Sequence, residues 1–319
     1  MSKTKAKISG VGSYLPQRIL TNAELSKMVD TTDEWIRERV GISERHIATE
    51  HETNAFMATE AAKMALEDAK VAASEIDLII VATCTPDHFF PSVACHVQHA
   101  LKIKKPIPAF DIGAACSGFV YALDIANQYI ANGSAKHILV IGSESMSRAV
   151  DWTDRSICVL FGDGAGAVVL SSSDKQGIMG SVLHSSFDEE KLLTLANTTF
   201  EEKRETIGMR GNEVFKIAVT IMGDVVDEVL KVSNLQKSDI NWLIPHQANI
   251  RIIQAIAKKL SLPMSQVIVT IANQGNTSAA SIPLALDHSI KSNQIKRDDV
   301  LLIESFGGGM TWGAMVIRY

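Results

Sequence analysis

Three polar residues stand where apolar runs of this chain end: Cys116 in AFDIGAACSG, His246 in WLIPHQA and Asn276 in VIVTIANQGNTSAAS. A thiol can carry an acyl group as a thioester, an imidazole can give or take a proton, and a carboxamide can donate a hydrogen bond without changing charge. The set suits acyl transfer through a cysteine-bound intermediate, with two donors for a developing oxyanion. Cys116 lies between an apolar run and a predicted helix opened by Ser117 and Gly118. Its sulfur is therefore expected at a helix N-terminus, where the dipole and free N–H groups favour the thiolate. Gly113, Ala114, Ala115 and Gly118 leave room for a tight turn and a close substrate, the thiol counterpart of a nucleophile elbow. Taken singly, each of the three has an ordinary reading: a small buried thiol, a satisfied histidine, a turn or cap asparagine. Their common position after strands sets them apart.

The elements that must position them recur. KISGVG, DLIIVATC, PAFDIG, HILVIGSE and GAVVLSS read as strands in the first half, and WLIPH, VIVTI, VLLIESF and AMVIRY in the second. Helical periodicity marks 54–70, 117–132, 212–234 and 249–260, with Gly133 placed to cap the second of these. Strand and helix alternate, as in α/β layers with buried, largely parallel strands. The order of motifs repeats as well. Ile76 aligns with Ile240 at an offset of 164 and Ile138 with Val300 at an offset of 162, as if one βαβαβ unit were duplicated. Two pseudo-symmetric halves, 1–172 and 173–319, are expected to face one crevice with their strand ends. The glycines of FGDGAGAVVL, Gly162 to Gly166, read as tight turns, because no phosphate-loop lysine follows them.

At 319 residues, 46% hydrophobic and 21% charged, the chain has the composition of a globular protein with room for two cores. A formal charge of -5 offers nucleic acid or an anionic membrane no general attraction. The N-terminal segment has no apolar run of signal length, and nowhere do about 18 apolar residues run uninterrupted, so a cytoplasmic, non-membrane protein is expected. The four cysteines, Cys84, Cys95, Cys116 and Cys158, are too irregularly spaced for a zinc knuckle and too few for a disulfide scaffold; no metal is expected.

GAACSG, PHQANIR and GNTSAAS, with DTTDEWIRERVGISERH, FGDGAGAVVLS and ESFGGGMTWGAMVIRY, closely resemble the β-ketoacyl-(acyl carrier protein) synthase III family over essentially the whole chain. The resemblance implies a thiolase-like fold, a homodimer, and a condensing acyltransferase that starts fatty acid biosynthesis. Cys116 would take an acetyl group from acetyl-CoA. His246 and Asn276 would then stabilise the enolate formed when malonyl-(acyl carrier protein) loses carbon dioxide, and the backbone N–H groups of Cys116 and Gly308 would form a second oxyanion hole. Decarboxylation drives such a reaction, so no metal or redox cofactor is implied.

Trp35 and Arg39 fall four apart on a short helix opened by Thr31 and Thr32, and can grip adenine and phosphate; the resemblance adds Arg155 to them for CoA. Arg251, Lys258 and Lys259, joined by Lys216, would offer a basic face to an acidic carrier protein. Phe90 resembles the position that reaches the partner subunit's acyl pocket, where a ring favours acetyl over branched primers. Residues 185–210 have no clear period and suit a lid. Three readings compete: an enzyme of this kind working in secondary metabolism on another primer, a Cys-His-Asn hydrolase or thioesterase, and a silent CoA-binding scaffold. A degradative thiolase would need a later cysteine than Cys158, and elongating condensing enzymes have a second histidine where this chain has Asn276.

Overall fold

The computed structural model describes residues 4–175, 177–196 and 206–319. Its strands are β1 (Lys5–Tyr14), β2 (Arg18–Thr21), β3 (Glu44–Ile47), β4 (Leu78–Ala82), β5 (Ala109–Ile112), β6 (His137–Ser145), β7 (Asp163–Ser173), β8 (Gly177–Ser185), β9 (Leu193–Thr194), β10 (Gly208–Met209), β11 (Trp242–Pro245), β12 (Val300–Gly307) and β13 (Thr311–Arg318). Its helices are α1 (Asn22–Leu25), α2 (Asp33–Val40), α3 (Asn54–Ala69), α4 (Val93–Ala100), α5 (Gly118–Ala131), α6 (Arg155–Cys158), α7 (Gly211–Ser233), α8 (Ile250–Lys259), α9 (Ile271–Gln274) and α10 (Ser281–Lys291). The four helices read from periodicity appear as α3, α5, α7 and α8. Gly133 takes the left-handed conformation, φ 81°, just past α5.

Two sheets carry the fold, one ordered β1-β7-β6-β4-β5 and the other β11-β12-β13-β8. Read from the opposite end, the second repeats the first: β8 stands for β1, β13 for β7, β12 for β6 and β11 for β4. Among the described residues only the strand pairs β4-β5, β4-β6 and β11-β12 are parallel; the other large pairings are antiparallel. The expectation of largely parallel sheets is thus corrected. Burial on both faces, rather than parallel pairing, explains the continuous apolar runs.

Alternation along the strands builds five layers. Leu78, Ile80 and Ala82 of β4 point to a core shared with Ile244, Leu301 and Ile303 of the second sheet, and α5 and α10 fill the space between the sheets. Ile79 and Val81 point the other way, onto α3 and α4. The outer face of the second sheet lies under α7 and α8.

Two sequence readings fail for local reasons. VIVTI is not a strand: Val267 makes one isolated bridge to Leu243. Beyond it the side chain of Gln247 takes over the pairing, donating to the carbonyls of Pro245 at 2.7 Å and Ile268 at 3.2 Å and accepting from the Thr270 N–H at 2.9 Å. The glycines of FGDGAG, in turn, are not a run of tight turns; those from Gly164 on belong to β7. Glycine is needed at Gly166 because α10 presses on the strand: a Cβ there would lie 2.7 Å from Leu284 N and the Pro283 carbonyl carbon. Gly166→Ala is therefore expected to lose roughly 1–3 kcal/mol of stability through overpacking against backbone, measurable as a lower midpoint in chemical denaturation.

Candidate active site

The two turns that open α5 and α10 have the same backbone. Ala115 has φ 45° and Ser278 φ 50°, each the first residue of a 3₁₀ turn, and 278 − 115 gives an offset of 163, within the spacing of the repeat. A non-glycine residue in this region stores strain and persists only where its surroundings hold it. Side chains hold the first turn: Ser117 Oγ donates to the Ala114 carbonyl at 2.7 Å, and Thr311 Oγ1 donates to the same carbonyl at 2.9 Å. Ser305 Oγ donates to the Cys116 carbonyl at 2.8 Å. A Cβ at Gly307 would come within 2.7 Å of Cys116 N, so glycine is what lets the end of β12 meet this turn.

Cys116, His246 and Asn276 line one cavity of about 700 Å³, together with Ser278 and Gly308. The cavity opens between Trp35 and Arg39 of α2 and Asn249 and Arg251 at the start of α8. Leu193 and Thr194 of β9 and Met209 of β10 wall it on another side. Within the expected lid at 185–210, residues 197–205 lie outside the described residues.

The thiolate expectation is corrected. Burial pushes the Cys116 thiol up to about 12, with a hydrogen bond between it and the Ser278 side chain opposing and the Glu144 carboxyl adding to the rise. The turn carrying Cys116 precedes α5 and is 3₁₀, so the sulfur gains less from the helix end than it loses in water. His246 is neutral as well, because burial lowers its imidazole to about 3. Its Nδ1 lies 2.7 Å from Ser281 Oγ, which also accepts from the Gln247 N–H at 3.3 Å. Giving the serine proton to Nδ1 leaves the ring proton on Nε2, as a donor. Asn276 is oriented similarly. Its Oδ1 accepts from the Ser278 N–H at 2.9 Å, which leaves the amide hydrogens to donate. Its backbone is bridged to 160–162, a segment gripped at the Val159 carbonyl by the buried Arg45.

Glu144, at the end of HILVIGSE, was not singled out from sequence. It is fully buried and accepts from the Thr83 hydroxyl at 3.3 Å, the Cys84 N–H at 3.2 Å and the Ser278 hydroxyl at 3.1 Å. Ser278 thus ties this carboxyl to Cys116. Its signal lay inside GNTSAAS, which names a polar turn without saying which hydroxyl faces the thiol.

At the mouth, the guanidinium carbons of Arg39 and Arg155 stand 5.5 and 5.3 Å from the Trp35 ring centroid. Of the basic residues, Arg251 lines the mouth, while Lys258 and Lys216 are exposed on α8 and α7. Lys259 departs from the expected free basic face. Its Nζ donates to the Thr220 carbonyl at 2.8 Å and pairs with Asp224 at 3.0 Å, so its charge is spent on α7. Phe90 is 87% exposed and does not line the cavity of its own chain. Among the described residues no group of three or more His, Cys, Asp or Glu is placed to hold a metal ion, and no helix is long and apolar enough to cross a membrane.

This arrangement can be set against known proteins. Models described as 3-oxoacyl-[acyl-carrier-protein (ACP)] synthase III and its C-terminal part match residues 110–186 and 230–319. A β-ketoacyl-[acyl-carrier-protein] synthase III from Coxiella burnetii is 56% identical over 317 residues, 99% of each chain. The chain belongs to the 3-oxoacyl-[acyl-carrier-protein] synthase III family. It is a condensing acyltransferase of thiolase-like fold. The crystal structure of a synthase III from Aquifex aeolicus superposes with a TM-score of 0.94 at 52% identity, covering 98% of this chain and 100% of the other. One from Pseudomonas aeruginosa gives 0.94 at 38%, covering 99% and 98%.

For this synthase III, Ser281→Ala is expected to slow condensation about tenfold, the value of one hydrogen bond, by freeing the imidazole tautomer. Acyl loading from the thioester donor should be unchanged. Single-turnover loading and steady-state condensation, measured side by side, check this. With the thiol at about 12, alkylation of Cys116 by iodoacetamide should also rise with pH from 7 to 10 without reaching a plateau. A plateau near pH 8 would show a thiolate formed earlier.

Proposed function

We propose that this enzyme loads an acetyl or similarly short acyl group from its CoA thioester onto Cys116 and condenses it with malonyl-(acyl carrier protein). The observation that carries the reading is the meeting in one cavity of a buried thiol, a neutral imidazole and a carboxamide, behind a mouth framed by a tryptophan and arginines. Trp35, Arg39 and Arg155 take the adenine and phosphates of CoA. In the loading step the acyl carbon leaves the CoA sulfur for the Cys116 sulfur, and the thiol proton passes to the departing CoA. Neutral thiol is exchanged for neutral thiol, so a thiol held near 12 suits a buried site.

Malonyl-(acyl carrier protein) then enters, its carrier set against Arg251, Lys258 and Lys216. His246 Nε2–H and the Asn276 amide donate to the malonyl thioester oxygen as the carbon–carbon bond to the carboxylate breaks, releasing carbon dioxide and leaving an enolate. The enolate carbon attacks the acyl carbon on Cys116. The backbone N–H groups of Cys116 and Gly308 hold the tetrahedral oxyanion, which collapses to acetoacetyl-(acyl carrier protein) and returns the sulfur, to be protonated. Loss of carbon dioxide drives the sequence, so no cofactor enters it.

The working unit is a cytoplasmic homodimer of chains duplicated as 1–172 and 173–319. The edge position of β5 and the exposed rings of Phe89 and Phe90, 71% and 87% accessible, support pairing there. Phe90 then reaches the partner's primer pocket and favours acetyl over isobutyryl.

Incubation with a panel of acyl-CoAs followed by peptide mass spectrometry should place acetyl on Cys116 ahead of isobutyryl. His246→Ala and Asn276→Ala should still load, yet lose about 100- to 1000-fold in malonyl decarboxylation. Loading on another residue, or condensation undiminished in Asn276→Ala, would sink the assignment.

A further inference from the structure

β12 turns Leu302, Glu304 and Phe306 toward the layer of α7 and α8, opposite to Ser305, which reaches Cys116. Glu304 is 0% exposed and lies between Pro245 on β11 and Ala314 on β13. It nevertheless lines the active-site cavity, whose lining includes Ala218 and Met222 of α7 and Ile252 and Ile256 of α8. Neither oxygen of its carboxyl has a hydrogen-bond partner among the described residues.

The surrounding charges do not meet it. On α7 and α8, Lys216, Asp224, Lys258 and Lys259 lie on exposed positions, and β11 and β13 flank Glu304 with proline and alanine. Among the described residues, five other ionisable groups share the cavity: Arg39, Arg251, Cys84, Cys116 and His246. Among the described residues a carboxylate so placed has neither cation nor donor, and even a carboxylic acid wants a partner for its proton and its carbonyl. Water, or part of a substrate, can supply one in the cavity.

We infer that Glu304 is a positioning residue of the condensation proposed above, serving as a neutral carboxylic acid that holds water in the cavity and adds no negative charge of its own beside malonyl and the enolate formed from it. The carboxyl proton is donated to that water, whose hydrogen returns to the carbonyl oxygen. Burial, its only shifting influence, pushes this carboxyl up to about 8, in keeping with that role. Above that pH the ionised group adds a negative charge beside malonyl and its enolate, and the anionic step slows. Loading exchanges one neutral thiol for another and is spared.

Wild type should lose condensation about tenfold per pH unit above pH 8, while loading of Cys116 shows no such limb. In Glu304→Gln the limb should vanish, whatever the absolute rate. A Glu304→Gln profile that keeps the limb overturns the inference. Melting gives a second, activity-free readout. The native state holds a proton that the unfolded chain has lost between pH 4.5 and about 8, so this group lowers wild-type stability as pH rises through that window. The melting temperature of Glu304→Gln should therefore gain on wild type from pH 5 to pH 8; a constant difference overturns the inference. If the variant does not fold, the infrared stretch of a neutral carboxylic acid in wild type decides instead: present at pH 7 and lost above pH 8, or absent, which overturns it. Should the chain load Cys116 but condense nothing at any pH, the condensation reading fails, and melting and infrared still judge Glu304.

Discussion

Everything in this molecule depends on one apolar layer that belongs to both halves at once. Helices α5 and α10 lie between the two sheets, and β4, β6, β11 and β12 all turn side chains into the same core. Neither sheet can cover its inner face alone. Because the halves are bound through this layer, the turns that open α5 and α10 are brought against each other, and the thiol of one half meets the imidazole and carboxamide of the other. The site is a by-product of the way the core closes.

That closure fixes the electrostatics as well. Groups at the junction lose water, and the neutral form wins in each case: the Cys116 thiol goes up to about 12, the His246 imidazole down to about 3 and the Glu304 carboxyl up to about 8. Glu144, which accepts several hydrogen bonds, is also raised by burial. A cavity of neutral donors is poor at holding a resting ion pair. It is well suited to a reaction whose charge appears only transiently, because donors already aimed at the developing oxyanion need not reorganise.

Much of this was legible in the residues. The offsets of 164 and 162 anticipated the repeated strand order of the two sheets, and the strand-end positions of Cys116 and His246 anticipated their meeting; Asn276 joins them although the run before it is not a strand. What escaped was decided by contacts between distant segments. VIVTI has the composition of a strand, but the Gln247 carboxamide takes the pairing its backbone would have made. Lys259 has the spacing of a free surface cation, and only the approach of α7 shows that Asp224 consumes it. The thiol was misjudged because a helix N-terminus can be read from sequence, whereas the depth at which it is buried cannot.

The same limit explains why a symmetric scaffold carries an asymmetric site. Ala115 and Ser278 share a strained backbone and a place in the repeat, so duplication preserved the turn while the side chains diverged. After Ala115 comes Cys116, the proposed nucleophile; after Ser278, at the matching place, comes Ala279. The second turn has thereby become a support for the first, its serine bonded to Glu144 at 3.1 Å and to the Cys116 thiol. Strain held on both sides of one interface keeps the two turns in register. It follows that a change at Ser278 is felt by the thiol of the other half, although the two residues lie 162 positions apart in the chain.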